Sequence, residues 1–323
     1  MRSSRAKSVA LFLAKLTISL SLVAYLFYLV DFPSFQQQFS ELLPVFVGFA
    51  VILLLCQSLL SAFKWRTLLV ADGVLLKYLY LLKTYMISHF VSLFLPTSFG
   101  GDIYRVMAVR KAASNTAKTA SSVLFDRLTG LFALLSLAFI GYLTYPGLPF
   151  KLLVVLGYLV GLVTFWLGAS GWLLDRKKLT KRGLSQKIHM VLESFHTYGK
   201  NRRCLMIALA VSFVFQLNIV VINKIYSLAF GLEVPFMVLL AIIPLVYLTE
   251  AIPMSINGLG FREGAFVYFY QLIGQTAEVG LGIALLVLTL RYSMGLIGGI
   301  LLLVTIISDK PKKNSICDSE TLS

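Results

Sequence analysis

Charge is scarce in this chain. Asp, Glu, Lys and Arg make up 13% of its 323 residues, about half the share usual in a soluble globular domain. Hydrophobic residues make up 58%, and mean hydropathy is +0.86. That balance excludes an ordinary soluble fold. Cysteine is scarce too. Cys56, Cys204 and Cys317 stand far apart, so neither a disulfide framework nor a Cys-x-x-Cys site is expected. The histidines, His89, His189 and His196, are too scattered for a metal cluster. No G-x-x-x-x-G-K-[ST] occurs, which excludes an ATP-driven pump within this chain. Gly168-Ala169-Ser170-Gly171 has the form of an intramembrane serine protease motif. The only histidines after it fall in a basic loop, so no span supplies its base.

What is present is a set of long apolar runs separated by basic patches. A bilayer needs about 20 mostly apolar residues per helix. Val9–Val30, Leu43–Phe63, Val123–Tyr145, Leu152–Leu174, Leu205–Phe230 and Leu281–Ile307 meet that length. The first is longer than a signal-peptide core and lacks a small-residue cleavage site, so it reads as an uncleaved helix, with Lys15 snorkelling to the basic side. Three further apolar segments, Tyr85–Leu95, Phe236–Ala251 and Ala265–Ile273, are short. The expectation is an all-α polytopic bundle over residues 1–308 with re-entrant or broken helices, followed by a polar tail, 309–323.

The net charge of +15 comes from 29 Lys and Arg against 14 Asp and Glu. The cations sit in patches between apolar runs, not among polar folded segments, so nucleic acid is not an expected partner. With the N-terminus inside, twenty-three of them fall on cytoplasmic segments, Lys64, Arg66, Lys77 and Lys83 included, and only Lys151 and Lys224 fall outside. The positive-inside rule then places both termini in the cytoplasm. Nine cations lie between Arg176 and Arg203. There Leu184, Ile188, Val191, Leu192 and Phe195 repeat at helical spacing, as in an amphipathic segment on anionic lipid or a loop helix held by neighbouring spans.

The remaining charge is the informative part, because ionisable groups at membrane depth are costly and mark functional sites. Two clusters hold it. One is Pro96-Thr97-Ser98-Phe99-Gly100-Gly101-Asp102 with Arg105, joined by Asp126-Arg127 on the next span. The other is Glu250-Ala251-Ile252-Pro253-Met254-Ser255-Ile256-Asn257-Gly258-Leu259-Gly260-Phe261-Arg262-Glu263-Gly264. Arg291, inside the last span, stands apart. Both clusters have an apolar run, Pro-x-Ser, glycines and an acid, which suggests an internal pseudo-repeat of two broken helices. Such paired breaks point to a midplane site, and a helix start exposed by a break suits phosphate. Ordinary ion pairing is the competing reading: Asp102 with Arg105 at i, i+3, Asp126–Arg127 as an interface anchor, and Arg262 with Glu263.

In order and spacing these blocks, with Asp126-Arg127-Leu128-Thr129-Gly130, resemble the flippase-like family of the lysylphosphatidylglycerol synthase transmembrane region, from about residue 9 to 308. The resemblance implies an inner-membrane bundle of about eight spans. In two-part members the region moves an aminoacylated phospholipid between leaflets after a soluble domain makes it. No synthase domain is expected in this chain, so its lipid is open.

The expected function is translocation of a lipid or lipid-linked glycan. Ser98, Gly100, Gly101, Ser255, Asn257, Gly258 and Gly260 would line a polar notch. Arg105, Arg127, Arg262 and Arg291 would meet phosphate, and Asp102, Asp126, Glu250 and Glu263 would orient them. No metal, nucleotide or other cofactor is implied. Membrane lipids are the expected partners, with a lipid synthase or glycosyltransferase as a candidate protein partner. Two other classes fit the same residues: a membrane-embedded transferase or its subunit, with Asp102 or Glu263 as base, and a non-catalytic scaffold.

Overall fold

The computed structural model describes residues 16–308, apart from 29, 41, 95–99, 111–115, 146, 148, 150, 171–193 and 252–257. All regular structure among them is helical. The chain runs through α1 (Leu16–Tyr28), α2 (Phe32–Ser40), α3 (Pro44–Ala71), α4 (Tyr78–Phe94), α5 (Gly100–Val109), α6 (Thr116–Thr144) and α7 (Lys151–Ser170). It continues through α8 (194–200), α9 (Arg202–Ala229), α10 (Phe236–Leu248), a 3-10 turn (Thr249–Ala251), α11 (Phe261–Leu272) and α12 (Ala277–Ser308). Among the described residues α3, α6, α9 and α12 are long and apolar enough to cross a membrane. Their outer faces carry large exposed hydrophobics, as do Leu152, Leu153, Val160, Val163 and Trp166 of α7. Lipid tails are the medium that such a surface fits. The protein is a helical membrane protein.

Local sequence sets the helix ends. Pro44 occupies the first turn of α3, where its missing N–H costs nothing. The Asn201 side chain accepts from the backbone N–H of Cys204 and so caps α9. The long helices α3 and α9 lie antiparallel. Leu43 N–H donates to Ala229 O at one end, Asn218 reaches Leu53 O midway, and Lys64 meets Ser212 further along. The bundle therefore has an Asp72 end and an Ala229 end.

Two helical hairpins enter this frame from opposite ends. The hairpin α4/α5 has its mouth at the Asp72 end, where the Tyr80 hydroxyl donates to Ala108 O and Trp65, Leu69, Leu81 and Val109 cluster. The hairpin α10/α11 has its mouth at the Ala229 end, where Lys224 donates to Val234 O and Tyr270 bonds Ser227. The ends of the hairpins carry Asp102, Glu250 and Arg262 to the middle of the bundle, where all three line one cavity. The first hairpin's incoming helix is longer than the apolar run Tyr85–Leu95 suggests, because Tyr78–Lys83 continue it.

Glycine lets these elements approach. Apolar burial gives little drive between helices in lipid, so close backbone packing carries more of the association. A Cβ on Gly298 of α12 would stand 2.1 Å from Met86 O of α4, and one on Gly141 of α6 would stand 2.4 Å from Ala241 N of α10. The expected amphipathic segment Leu184–Phe195 falls mostly outside the described residues. Its continuation, α8, packs Phe195 and Tyr198 against Phe125 of α6 and donates the Tyr198 hydroxyl to the Asp72 carboxylate.

Candidate functional site

Where the hairpin tips meet the long helices there is a cavity of about 1060 Å³. Its walls bring together both charge clusters: Lys64, Asp102, Arg105, Asp126 and Arg127 on one side, Glu250, Arg262 and Arg291 on the other. The rest of the lining is largely apolar, with Leu54, Leu131, Leu134, Ile219, Val287 and Met294 among it.

The first cluster is built on Asp126 of α6. Lys64 of α3 lies 2.7 Å from its carboxylate and also donates to Asp126 O and Ser212 Oγ. Arg105 of α5 donates from both terminal nitrogens, each at 3.1 Å, to the other carboxylate oxygen. Its guanidinium lies 4.3 Å over the Trp65 ring and 4.8 Å from the Tyr85 ring. Such stacking suits Arg, whose flat and weakly hydrated cation tolerates burial. Arg105 also reaches Asp102 at 3.3 Å, and Asp102 accepts from Arg127. Asp102 sits in the first turn of α5, where an acid favours the helix start.

The second cluster centres on Arg262, whose side chain is only 2% exposed. It donates to Glu250 at 2.9 Å and to Glu263 at 2.6 Å. Arg291 donates to the same Glu250 oxygen at 3.1 Å. Glu263 also accepts from the backbone N–H of Gly260, which fixes the start of α11. Gly260 has φ 88°, and an added Cβ would stand 2.7 Å from Leu22, so no other residue fits there easily.

The charged residues named from sequence thus converge on one cavity, Glu263 standing just behind Arg262. Ion pairing explains part of this, since Asp102–Arg105 and Arg262–Glu263 are both formed. Asp126 is buried within the bundle. The glycines have a different place: Gly101 packs its backbone against Ser88 and Ser92, and Gly258 lies against Glu250. Ser98, Ser255 and Asn257 lie outside the described residues, and Gly100 is buried at the start of α5.

Lys64 departs from the topological count. It belongs to the cytoplasmic set by sequence, yet α3 continues to Ala71 and leaves Lys64 6% exposed inside the bundle. Its signal was a polar stripe within an apolar run: Gln57, Ser58, Ser61 and Lys64 recur at helical spacing and all line the cavity. His89 and Tyr85 also line it, the two rings meeting edge-on at 5.1 Å.

These features define an integral membrane protein with an ionised, guanidinium-rich chamber between opposed hairpins. Residues 12–299 match the family described as the lysylphosphatidylglycerol synthase TM region, and the chain belongs to that family. No curated protein and no solved structure matches the chain.

Proposed function

We propose that this protein translocates a phosphate-bearing lipid, or a lipid-linked glycan, across the inner membrane. The observation that carries the reading is the single cavity in which Lys64, Arg105, Arg127, Arg262 and Arg291 converge beside an apolar wall. Guanidinium groups offer a planar set of donors to phosphate oxygens, and the apolar lining suits acyl or prenyl chains. The acids pair with those cations and orient them. In this reading the Asp72 end faces the cytoplasm, along with both termini, as the loop cations require. A lipid synthase or glycosyltransferase would supply or use the lipid.

The test is headgroup exposure in proteoliposomes. Fluorescent phospholipids and a polyprenyl phosphate should change leaflet faster with the protein than in empty vesicles. An unchanged rate for every lipid would remove the function.

A further inference from the structure

The antiparallel pair α3 and α9 is finished differently at its two ends. At the Ala229 end a backbone hydrogen bond from Leu43 to Ala229 joins the helices. At the Asp72 end a groove of about 460 Å³ lies along them, and it shares no lining residue with the central cavity. Its walls carry Phe63, Arg66 and Val70 of α3 and Arg203 and Ile207 of α9. The helices meet within it, where Cys204 Sγ donates to Thr67 O at 3.9 Å. The volume falls in the range of small-ligand sites, about 300–1,000 Å³.

Its charge is unlike that of the cavity. Each cavity arginine is paired with a carboxylate, whereas no acid is found among the described residues that line the groove. The hydrogen bond of the Arg66 side chain among the described residues is a long one, 3.4 Å from Nε to Leu76 O, which leaves its terminal nitrogens free. The Arg203 guanidinium has no hydrogen-bond or ion-pair partner among the described residues. Two like charges held in one groove oppose each other, and an anion between them removes that cost. The start of α9 favours the same occupant, because Asn201 takes the N–H of Cys204 and leaves those of Arg202 and Arg203 to a ligand. The apolar wall belongs to the lipid-facing surface, where Phe63 and Val70 are exposed.

We propose that this groove binds an anionic phospholipid from the leaflet at the Asp72 end, with the phosphate between Arg66 and Arg203 and an acyl chain along Phe63, Val70 and Ile207. Basic pockets between membrane helices recognise anionic headgroups in this way. Such a lipid is a bound ligand rather than cargo, and its site stands whether or not the cavity moves lipid. It also reaches the cavity indirectly. α8 leads straight into the first turn of α9, and Phe195 of α8 lines the cavity, so a lipid seated in the groove braces that wall.

The experiment places the protein in phosphatidylcholine nanodiscs with rising fractions of a phosphatidylglycerol that carries a photoreactive diazirine on one chain. Labelled peptides are mapped by mass spectrometry. Labelling of residues 63–71 and 201–207 should saturate at a low phosphatidylglycerol fraction, and a diazirine phosphatidylcholine should not reproduce it. Arg66→Gln and Arg203→Gln should each raise the half-saturating fraction about tenfold, the worth of one hydrogen bond to a charged group. Arg202→Gln, next in the chain but outside the groove, should leave that fraction nearly unchanged. All three side chains are exposed, so their loss spares the fold. Equal labelling by the two lipids would overturn the site. An equal loss from all three variants would also overturn it, since diffuse surface charge predicts that result. Displacement of the label by millimolar inorganic phosphate would overturn the assignment to lipid.

Discussion

Lys64 shows how a single buried cation constrains its surroundings. Its ammonium lies against Asp126, Ser212 and a backbone carbonyl, and removing it leaves Asp126 to Arg105 alone. Breaking a buried pair from one side is costlier than replacing both partners. Lys64→Met should therefore lower stability by on the order of 3 kcal/mol, read by denaturant unfolding in detergent, and Lys64→Met with Asp126→Asn should recover part of it. Asp72, just past the end of α3, makes a separate pH prediction. Burial raises its carboxyl above the ordinary 3.8, outweighing the Tyr198 hydrogen bond and the charge of Lys118, which lower it. The folded state then holds the proton more tightly than the unfolded one. This contribution to stability is present below the ordinary value and is lost as pH rises through the folded one. Asp72→Asn should abolish that slope in melting temperatures measured across acidic pH.

At the scale of elements, packing depends on where a helix has no side chain. Gly298 of α12 meets the backbone of α4, whereas nothing lies within 4 Å of a Cβ on Gly264 of α11. Forcing atoms into a packed contact costs typically about 1–3 kcal/mol. Gly298→Ala should lower the melting temperature of the purified protein, and Gly264→Ala should leave it unchanged or raise it slightly through helix propensity. Equal effects would mean that α4 and α12 do not pack as described. The long helices themselves were legible as apolar runs, and α9 and α12 fall within a few residues of their sequence spans. The short ones were harder. Lys83 hid the start of α4 because a basic residue in an apolar run reads as a loop, yet it is half-buried on a continuous helix.

The whole molecule is organised by two hairpins that enter from opposite ends. This arrangement predicts sidedness. With Cys56, Cys204 and Cys317 changed to Ser, Leu75→Cys and Gln271→Cys should each react with an impermeant maleimide from one side only, and from opposite sides. Leu75 is 78% exposed at the mouth of the first hairpin, and Gln271 is exposed near that of the second. Labelling of both from the same face would contradict the opposed hairpins. Broken helices that enter in opposite senses place a site of this kind near the middle of the membrane.

Sequence alone determined that the protein lives in a membrane, because apolar runs of bilayer length and a charge content this low leave no soluble alternative. It also singled out nearly every ionisable residue of the cavity, since an acid or arginine within an apolar segment has no inexpensive place in lipid. It marked Pro96–Arg105 and Pro253–Arg262 as related stretches. Their relation in space depended on tertiary structure. Only the antiparallel packing of α3 on α9 decides that the hairpins point inward from opposite ends and bring Asp102 and Glu250 to one chamber. Lys64 likewise became a site residue only when the helix around it was seen to continue, because a cation at the edge of an apolar run reads as topology until its partner, Asp126, is found beside it.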